Sequence, residues 1–348
     1  LVYLMNCKGS TRMDLALEAQ SRHGGKYEPG LVSVIITTFN RAQLVLQAIE
    51  SVQSQTWKTT QVIVVDDGST DDTKKLIENM PGIFYIHQEN QGMVAARNKG
   101  LTHASGEFVA TLDSDDLWSC DFLEQSVTAL RTLQVELVFS NWTALYADGT
   151  VERSYLETNY EWWKFSRSKI PHWRIAEPSL IRKIMLGSCI APTSAWLFRR
   201  ESMGDGWTEF IDLTEDWSLL LDVVLSKPCS VGVNMKRSWL KRKETGNMFD
   251  GAKIPVSKSM QVYSPRRILL RHRPQLTRKE KALLHWKFAS NLWSLRGTEK
   301  SIAKNTVDAS IVTPIALDLL EALMTGFASA PIEFLQRTLR GRYTTTSP

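Results

Sequence analysis

The stretch Phe108 to Trp118 reads FVATLDSDDLW and places three carboxylates, Asp113, Asp115 and Asp116, directly after a short apolar run. The run is β-prone and uninterrupted, which predicts a buried strand whose end delivers the acids together. Adjacent carboxylates repel one another and need a cation or strong donors nearby. Mg²⁺ or Mn²⁺ would satisfy them and would then face substrate phosphates. The alternative is an acidic cap, in which Asp116 or Ser119 opens the next helix.

Strands and helices alternate on both sides of this stretch. The predicted strands are Leu31–Thr37, Gln61–Val65, Ile83–His87, Glu107–Leu112 and Leu137–Asn141, and the helices between them are Leu44–Gln55, Asp72–Asn79, Val94–Ala104 and Asp121–Leu133. This order predicts βαβ units, with a mixed, mostly parallel sheet flanked by helices. Farther on we predict a strand at Ser194–Phe198 and a helix at Glu215–Leu225, whereas residues 148–185 show no clear period.

Composition limits the class of protein. The chain has 348 residues, of which 43% are hydrophobic and 23% charged, as expected for a soluble chain with one large domain and an appendage. Its four cysteines form no CxxC pair, which excludes a zinc site of that kind and favours a reducing, cytoplasmic location. No signal-peptide pattern and no apolar run of about 18 residues is present, so we expect no membrane crossing.

Positive charge is concentrated late in the chain. Residues 236–287 contain 15 Lys and Arg and three acids, a local charge of +12 within a net +5. Such a segment can meet anionic lipid headgroups, a diphosphate-linked acceptor or nucleic acid, or it can be a solvated face. Further helices are predicted at Pro265–His272, Thr277–Leu295 and Pro314–Leu339. The last of these can lie on a membrane surface or pack against the globular body.

Polar side chains also follow the other predicted strands, where ligands bind in open parallel sheets. Asp66 and Asp67 end the second strand and can accept hydrogen bonds from a base or a ribose, while Gly68 lets the backbone turn close to a ligand. The alternative is an Asp-Gly turn in which Ser69 or Asp71 caps the next helix. Both interpretations can hold together.

Two further motifs have open interpretations. Arg97, near the start of a predicted helix, can neutralise the acids structurally or grip a diphosphate through its planar fork. Glu215 and Asp216 precede an apolar helical run, where the helix dipole favours acids without any catalytic role. A single well-placed carboxylate is also what activation of a sugar hydroxyl requires.

Taken in order, these motifs resemble those of a family 2 glycosyltransferase of the GT-A fold, over about residues 31 to 225. The matching motifs are Val34-Ile-Ile-Thr37-Thr-Phe39-Asn40, Asp66-Asp67-Gly68-Ser69-Thr-Asp71, Asn90-Gln-Gly92, Ala96-Arg97-Asn98-Lys-Gly100, Asp113-Ser-Asp115-Asp116-Leu-Trp118 and Glu215-Asp216-Trp217. Together with the pattern outside that range, the resemblance predicts three parts. These are a lead-in (1–30), a catalytic domain (31–250) and a helical, basic C-terminal extension (251–348). Within the domain, residues 31–141 form the nucleotide-sugar half and 142–250 the acceptor half.

The resemblance also implies roles for particular residues. Asp115 would hold Mn²⁺ or Mg²⁺ through the donor diphosphate, and Asp216 would be the general base. The residues implied to contact the nucleotide-sugar donor are Thr37, Phe39, Asn40, Asp66, Asp67, Arg97, Asp113, Ser114 and Lys243. Relatives have a basic residue, often histidine, after the base helix, and this chain has no histidine there, so the resemblance implies that Lys243 or Arg242 supplies positive charge to the diphosphate.

The implied activity is inverting, metal-dependent transfer of a sugar from a nucleotide donor, expected to be a UDP-sugar, to a glycan or lipid-linked acceptor hydroxyl. Polysaccharide or glycoconjugate synthesis, with peripheral contact at the inner face of the membrane, would fit this activity. A catalytically inactive nucleotide-sugar or glycan binding module is the alternative. An NAD-dependent oxidoreductase is excluded because Thr37 to Arg41 contains no glycine. Nucleic-acid binding has no supporting motif.

Overall fold

The structure is a computed structural model that describes residues 26–152, 156, 164–208, 215–243, 265 and 268–296. The chain forms two compact units, residues 1–245 and 246–348. In the second unit, residues 268–272 are helical and a longer helix spans Arg278–Arg296. The predicted helix Pro314–Leu339 and most of the lead-in lie outside the described residues.

The first unit alternates strands and helices along most of its described length. Its strands are β1 (Glu28–Thr38), β2 (Thr60–Asp66), β3 (Ile83–His87), β4 (Gly106–Asp113), β5 (Leu117–Trp118), β6 (Leu137–Tyr146), β7 (Val151–Glu152), β8 (Ser166–Arg167), β9 (Trp173–Ala176), β10 (Trp196–Arg199) and β11 (Val231–Lys243). Its helices are α1 (Ala42–Gln53), α2 (Thr73–Ile77), α3 (Met93–Thr102), α4 (Phe122–Leu133), α5 (Pro178–Gly187) and α6 (Glu215–Ser226). The helix of the second unit is α7.

All eleven strands belong to one sheet, in the order β3-β2-β1-β4-β10-β6-β11-β9-β8, with β5 beside β11 and β7 beside β6. Strands β1 to β4 pair in parallel, as does β6 with β11, whereas β10 runs antiparallel between β4 and β6. The predicted mixed, mostly parallel sheet with flanking helices is therefore confirmed.

Helices pack against this sheet through their apolar faces. Helix α1 buries Val45, Ala48, Ile49 and Val52, the spacing of one helical face. In α3, a Cβ on Gly100 would lie 2.5 Å from Ile35 Cγ2, so only glycine lets this helix approach β1 so closely. None of the described helices is long and apolar enough to cross a bilayer.

Strand β11 is the main element that the sequence analysis did not predict. It contains five Lys and Arg residues, which read as part of a basic surface. Its register against β6 shifts between Asn234 and Arg237, which breaks the two-residue alternation typical of a strand. Trp239 is nevertheless buried, with its ring centroid 5.4 Å from that of Trp142. Strand β10 also begins later than predicted, because residues Thr193–Ala195 form a 3₁₀ turn.

Candidate active site

The ends of three parallel strands meet at one edge of the sheet. In the register, Thr37 of β1 pairs with Asp113 of β4, and Thr38 of β1 pairs with Asp66 of β2. The fold therefore brings the donor-side residues predicted on different strands to one edge, as expected for a parallel sheet.

Asp66 is fixed by its neighbours. It accepts hydrogen bonds from the Ser69 amide at 2.9 Å and the Tyr85 hydroxyl at 2.6 Å, and the His87 ring lies 3.3 Å away. Burial alone would raise the pKa of Asp66, but these hydrogen bonds outweigh it and lower the pKa. The Asp66 carboxylate, at the last residue of β2, is therefore kept ionised by these hydrogen bonds.

Asp67 organises the loop that leads into α3. Its carboxylate accepts hydrogen bonds from the Gln88 side chain at 2.8 Å and from the amides of Gln91 and Gly92 at 2.9 and 2.8 Å. Gly68 allows this loop to close, since its φ is +85° and a Cβ would lie 2.8 Å from the Asn90 nitrogen. Both aspartates of this motif therefore have structural partners within the protein.

The predicted β1 residues differ in their surroundings. Thr37 is partly buried, and Phe39 is 45% exposed, which leaves its ring available to a ligand. Asn40 has a left-handed φ of 52° and links two loops. Its amide donates to Ser69 Oγ at 2.9 Å, and its side-chain oxygen accepts from the Thr70 amide at 2.7 Å.

Arg97 joins the two halves of the site. It is 2% exposed, and its guanidinium contacts Asp113 at 3.0 Å, Glu215 at 3.1 Å and Asp216 at 3.0 Å. Burial alone would lower the pKa of Arg97, yet the three carboxylates raise it above its ordinary value. Arg97 is therefore a permanent buried cation that neutralises acids from strand β4 and helix α6.

Asp216 receives three hydrogen-bond donors. Arg97 Nη1 and Trp207 Nε1 donate to its Oδ1, the latter at 3.1 Å, and Thr193 Oγ1 donates to Oδ2. Its side chain remains 23% exposed. A carboxylate offers about four acceptor positions, so room for one further donor remains.

Glu215, the neighbour of Asp216, is more deeply buried and shares the same guanidinium nitrogen of Arg97. Burial and repulsion from Asp216 raise its pKa to about 7. Both acids lie in the first turn of α6, where the helix dipole favours negative charge. The helix dipole therefore favours both acids at this position, whether or not they take part in chemistry.

Trp207 is held in place by a side chain more than a hundred residues away. Asn98, the last residue of the Ala96-Arg97-Asn98 motif, donates to the Trp207 carbonyl at 2.7 Å and accepts from its amide at 2.9 Å. This clamp aims the indole N–H at Asp216. Asn98, Trp207 and Thr193 were not among the predicted site residues, although Asn98 stands within the Ala96-Arg97-Asn98-Lys-Gly100 motif.

Asp116 links the turn before β10 to strand β11 through its two carboxylate oxygens. Ser194 Oγ donates to its Oδ2 at 2.6 Å and the Arg242 amide to its Oδ1 at 3.2 Å. Burial raises the pKa of Asp116 to about 7. The alternative in which Asp116 or Ser119 opens the next helix is wrong, because α4 begins only at Phe122.

Asp115 is largely buried and forms an ion pair with Arg41, at 2.8 Å between Arg41 Nη1 and Asp115 Oδ2. Burial and the nearby Asp113 raise the pKa of Asp115, while Arg41 and Lys241 oppose that rise. Ser114 is buried between the two acids. Arg41 was not among the predicted site residues, although Arg41 directly follows the Thr37-to-Asn40 motif.

The basic residues predicted to replace the missing histidine pair with other side chains of the protein. Lys243 Nζ contacts the Tyr146 hydroxyl at 2.9 Å and Glu152 at 3.0 Å. Arg242 donates from Nη2 to Gln47 at 2.5 Å. Lys241, also on β11, is close enough for its charge to oppose the rise in pKa of both Asp115 and Asp116.

The described residues contain no group of three His, Cys, Asp or Glu side chains that would enclose a metal ion. Mg²⁺ and similar ions, however, are commonly held by one or two carboxylates together with substrate phosphates. Asp115, with Asp113 nearby, offers that donor set, and a cation would relieve the repulsion between the two acids. The residues therefore fit a metal that arrives with a phosphate-bearing ligand.

Comparisons with known proteins agree with this geometry. The sequence model described as "Glycosyl transferase family 2" matches residues 33–207, just over half of the 348 residues. Among curated relatives, the GalNAc(5)-diNAcBac-PP-undecaprenol beta-1,3-glucosyltransferase of Campylobacter jejuni is 46% identical over 91 residues, covering 24% of this chain and 29% of that protein. In eight curated relatives, this one included, the matched segments span between 16% and 51% of the relative's own length.

Two solved structures share the fold at low identity. S. aureus TarS 1–349 in complex with UDP-GlcNAc has a TM-score of 0.54 and 20% identity, covering 76% of this chain and 72% of that one. The mannosyltransferase PcManGT from Pyrobaculum calidifontis in complex with GDP-Man and Mn²⁺ has a TM-score of 0.51 and 20% identity, covering 90% and 88%. These likenesses support the GT-A fold.

Proposed function

The chain belongs to glycosyl transferase family 2, and from this premise we propose that it transfers a sugar from a nucleotide-diphosphate donor to an acceptor hydroxyl with inversion. One observation carries the proposal. The guanidinium of Arg97 reaches Asp113 on the donor-side edge and Asp216 on α6, each at 3.0 Å. A donor held at the β4 end would therefore lie beside the proposed base.

The proposed reaction needs little besides positioning, a base and charge stabilisation. Asp216 would accept the proton of the acceptor hydroxyl, using the acceptor position that its three present donors leave open. Arg97, Trp207 and Thr193 keep this carboxylate oriented while the acceptor attacks the anomeric carbon from the side opposite the leaving group.

We propose Asp115, with Asp113, as the residues that hold Mn²⁺ or Mg²⁺ together with the donor diphosphate. The ion, when bound, offsets the negative charge that develops on the departing nucleoside diphosphate. Lys241 and Arg41 add positive charge around the same carboxylate. Lys243, proposed from the family resemblance to contact the donor, would have to leave Tyr146 and Glu152 to do so.

The donor and acceptor are proposed as chemical classes. UDP-sugars are the first proposed donor class, as the family resemblance implies, and GDP-sugars are the second. The two structures of similar fold hold one donor of each class, UDP-GlcNAc and GDP-Man. A glycan or a lipid-linked glycan is the proposed acceptor, since the Campylobacter relative is named for an undecaprenol-diphosphate glycan. A cytoplasmic location with contact to anionic lipid remains a prediction from sequence.

A thermal-shift screen of nucleotide sugars, with and without Mn²⁺, tests the donor proposal. Donor at 100 times its Kd stabilises a protein by about 2.7 kcal/mol, or roughly 5–10 °C for a unit of this size. We expect such a shift for one nucleotide class, larger with Mn²⁺ than with EDTA. If no nucleotide sugar at millimolar concentration moves the transition, the proposal is wrong.

Trp207→Phe isolates the hydrogen bond to the proposed base. Phenylalanine keeps most of the buried ring but removes the N–H that donates to Asp216. Hydrogen bonds to charged groups are worth about 1.5–3 kcal/mol, so we expect kcat to fall roughly tenfold or more with little change in donor KM. Steady-state kinetics with the donor identified above provide the measurement.

Trp57→Phe is the matched control for this variant. It removes a comparable indole hydrogen bond, 3.1 Å from the Gly30 carbonyl, at a position before β2 and away from Asp216. We expect its kcat to stay within about twofold of wild type, as for a substitution remote from the chemistry. Equal losses of kcat in both variants would mean that Trp207 acts only through packing.

A further inference from the structure

Arg41 occupies the carboxylate proposed to hold the metal. Its Nη1 lies 2.8 Å from Asp115 Oδ2, where the Asp115 side chain is only 9% exposed and the Arg41 side chain 27% exposed. Ion pairs that are largely withdrawn from water are screened far less than surface pairs. Any cation that approaches Asp115 therefore meets a carboxylate that already has a positive partner.

The backbone on both sides of Arg41 is anchored, so the side chain starts from a fixed point. Asn40 is tied to Ser69 and Thr70, as described above, and the amide of Ala42 donates to Asp71 Oδ2 at 3.1 Å. Strand β1 also lies beside β4, with Thr37 opposite Asp113. This placement puts Arg41 next to the acidic strand end.

We propose that Arg41 is an internal counter-ion of Asp115, which a divalent metal must displace and which then pairs with the donor diphosphate. The inference rests on the proposed function, because it assumes that Asp115 holds the metal. Guanidinium groups match phosphate geometry well, so a diphosphate offers the displaced Arg41 a new charged partner in place of Asp115.

Binding of metal and nucleotide should therefore be coupled. Metal alone has to break the Arg41–Asp115 pair, whereas metal together with a nucleoside diphosphate also supplies a new anionic partner for the Arg41 guanidinium. Coupling between two ligands is reciprocal, so each should raise the affinity of the other by the same factor. Removal of the guanidinium abolishes the displacement step and should reduce that factor.

The test compares wild type with Arg41→Gln, Arg41→Lys and Asp115→Asn. Free Mn²⁺ is followed by electron paramagnetic resonance in titrations without nucleotide, and UDP and GDP are titrated calorimetrically with and without Mn²⁺. For Arg41→Gln we expect tighter Mn²⁺ binding without nucleotide and a Mn²⁺ enhancement of nucleotide affinity reduced about fivefold or more, the lower range of ordinary coupling. Arg41→Lys keeps the charge and should stay nearer to wild type.

Lys227→Gln is the matched control, because it removes one positive partner from Glu136 at an exposed position. It should leave both titrations unchanged. If Arg41→Gln binds Mn²⁺ no more tightly than wild type and keeps the full Mn²⁺ enhancement, while Asp115→Asn loses Mn²⁺, the inference is wrong and the metal assignment stands. If wild type binds no Mn²⁺ even with nucleotide, the metal assignment fails and the inference fails with it.

Where Mn²⁺ alone binds too weakly to measure in every variant, the nucleotide titrations decide the question. The ratio of nucleotide affinity with Mn²⁺ to that without it contains the same coupling. An unchanged ratio in Arg41→Gln overturns the inference, and a smaller ratio supports it.

Discussion

Asp216→Asn is expected to lower the rate of sugar transfer by about 10²–10⁴-fold, the usual contribution of a general base, while donor affinity stays within about twofold. The amide is nearly isosteric with the carboxylate. Its oxygen can still accept from Arg97 and Trp207, and its NH₂ can donate to Thr193 Oγ1 in place of accepting from it. The local fold is therefore retained while the proton acceptor is lost.

Asp222→Asn, an acid-to-amide change farther along the same helix, is the control, and its transfer rate should match wild type. Transfer is measured as nucleoside diphosphate released in the presence of acceptor, and donor affinity by calorimetry. Full transfer by Asp216→Asn would sink the assignment of Asp216 as the base. Donor binding without any transfer by wild type, across a broad acceptor panel, would instead favour the inactive binding module.

Arg97→Met is expected to destabilise the first unit by about 3–5 kcal/mol, the usual cost of removing one partner from a buried ion pair. Arg97 is almost fully buried and compensates three carboxylates at once. Without it, Asp113, Glu215 and Asp216 would face one another in a poorly solvated site. For a unit of this size the loss corresponds to a Tm lower by roughly 6–20 °C.

Two further variants separate charge from packing in this prediction. Arg131→Met removes an arginine that pairs with Glu107 but is 36% exposed, so it should cost only about 1 kcal/mol or less. Adding Glu215→Gln to Arg97→Met should recover part of the loss, because one of the unpaired charges disappears. A Tm for Arg97→Met within 2 °C of wild type, roughly 1 kcal/mol or less, would contradict a structural role for this guanidinium.

The fold of residues 31–141 was predictable because most of its strands are continuous apolar runs, and because helices such as α1 and α4 each carry one apolar face. Strand β11 was not, since five of its 13 residues are Lys or Arg and its register shifts beside β6. The edge that collects Asp66 and Asp113 also followed from the parallel arrangement. Sequence alone could therefore indicate which strand ends meet, provided that those strands carry a clear hydrophobic pattern.

The partners of the site residues were harder to predict, because they come from distant parts of the chain. Asn98 clamps Trp207 across 109 positions, and Arg97 reaches Asp216 across 119. Nothing in the local pattern around Trp207 or Thr193 indicates that both aim at one carboxylate. The two interpretations of Arg97 illustrate the same limit, since only the structure shows how many acids surround it.

We propose that the end of β4 forms a metal-dependent donor site, with Asp115 as the residue through which the metal acts. Calorimetric titration of the donor into wild type and Asp115→Asn, each in Mn²⁺ and in EDTA, tests it most directly. We predict that wild type binds the donor about tenfold or more weakly in EDTA than in Mn²⁺, which is within the usual range of coupling between two ligands. Asp115→Asn should bind the donor equally weakly under both conditions. Equal donor affinity in all four titrations would contradict the claim.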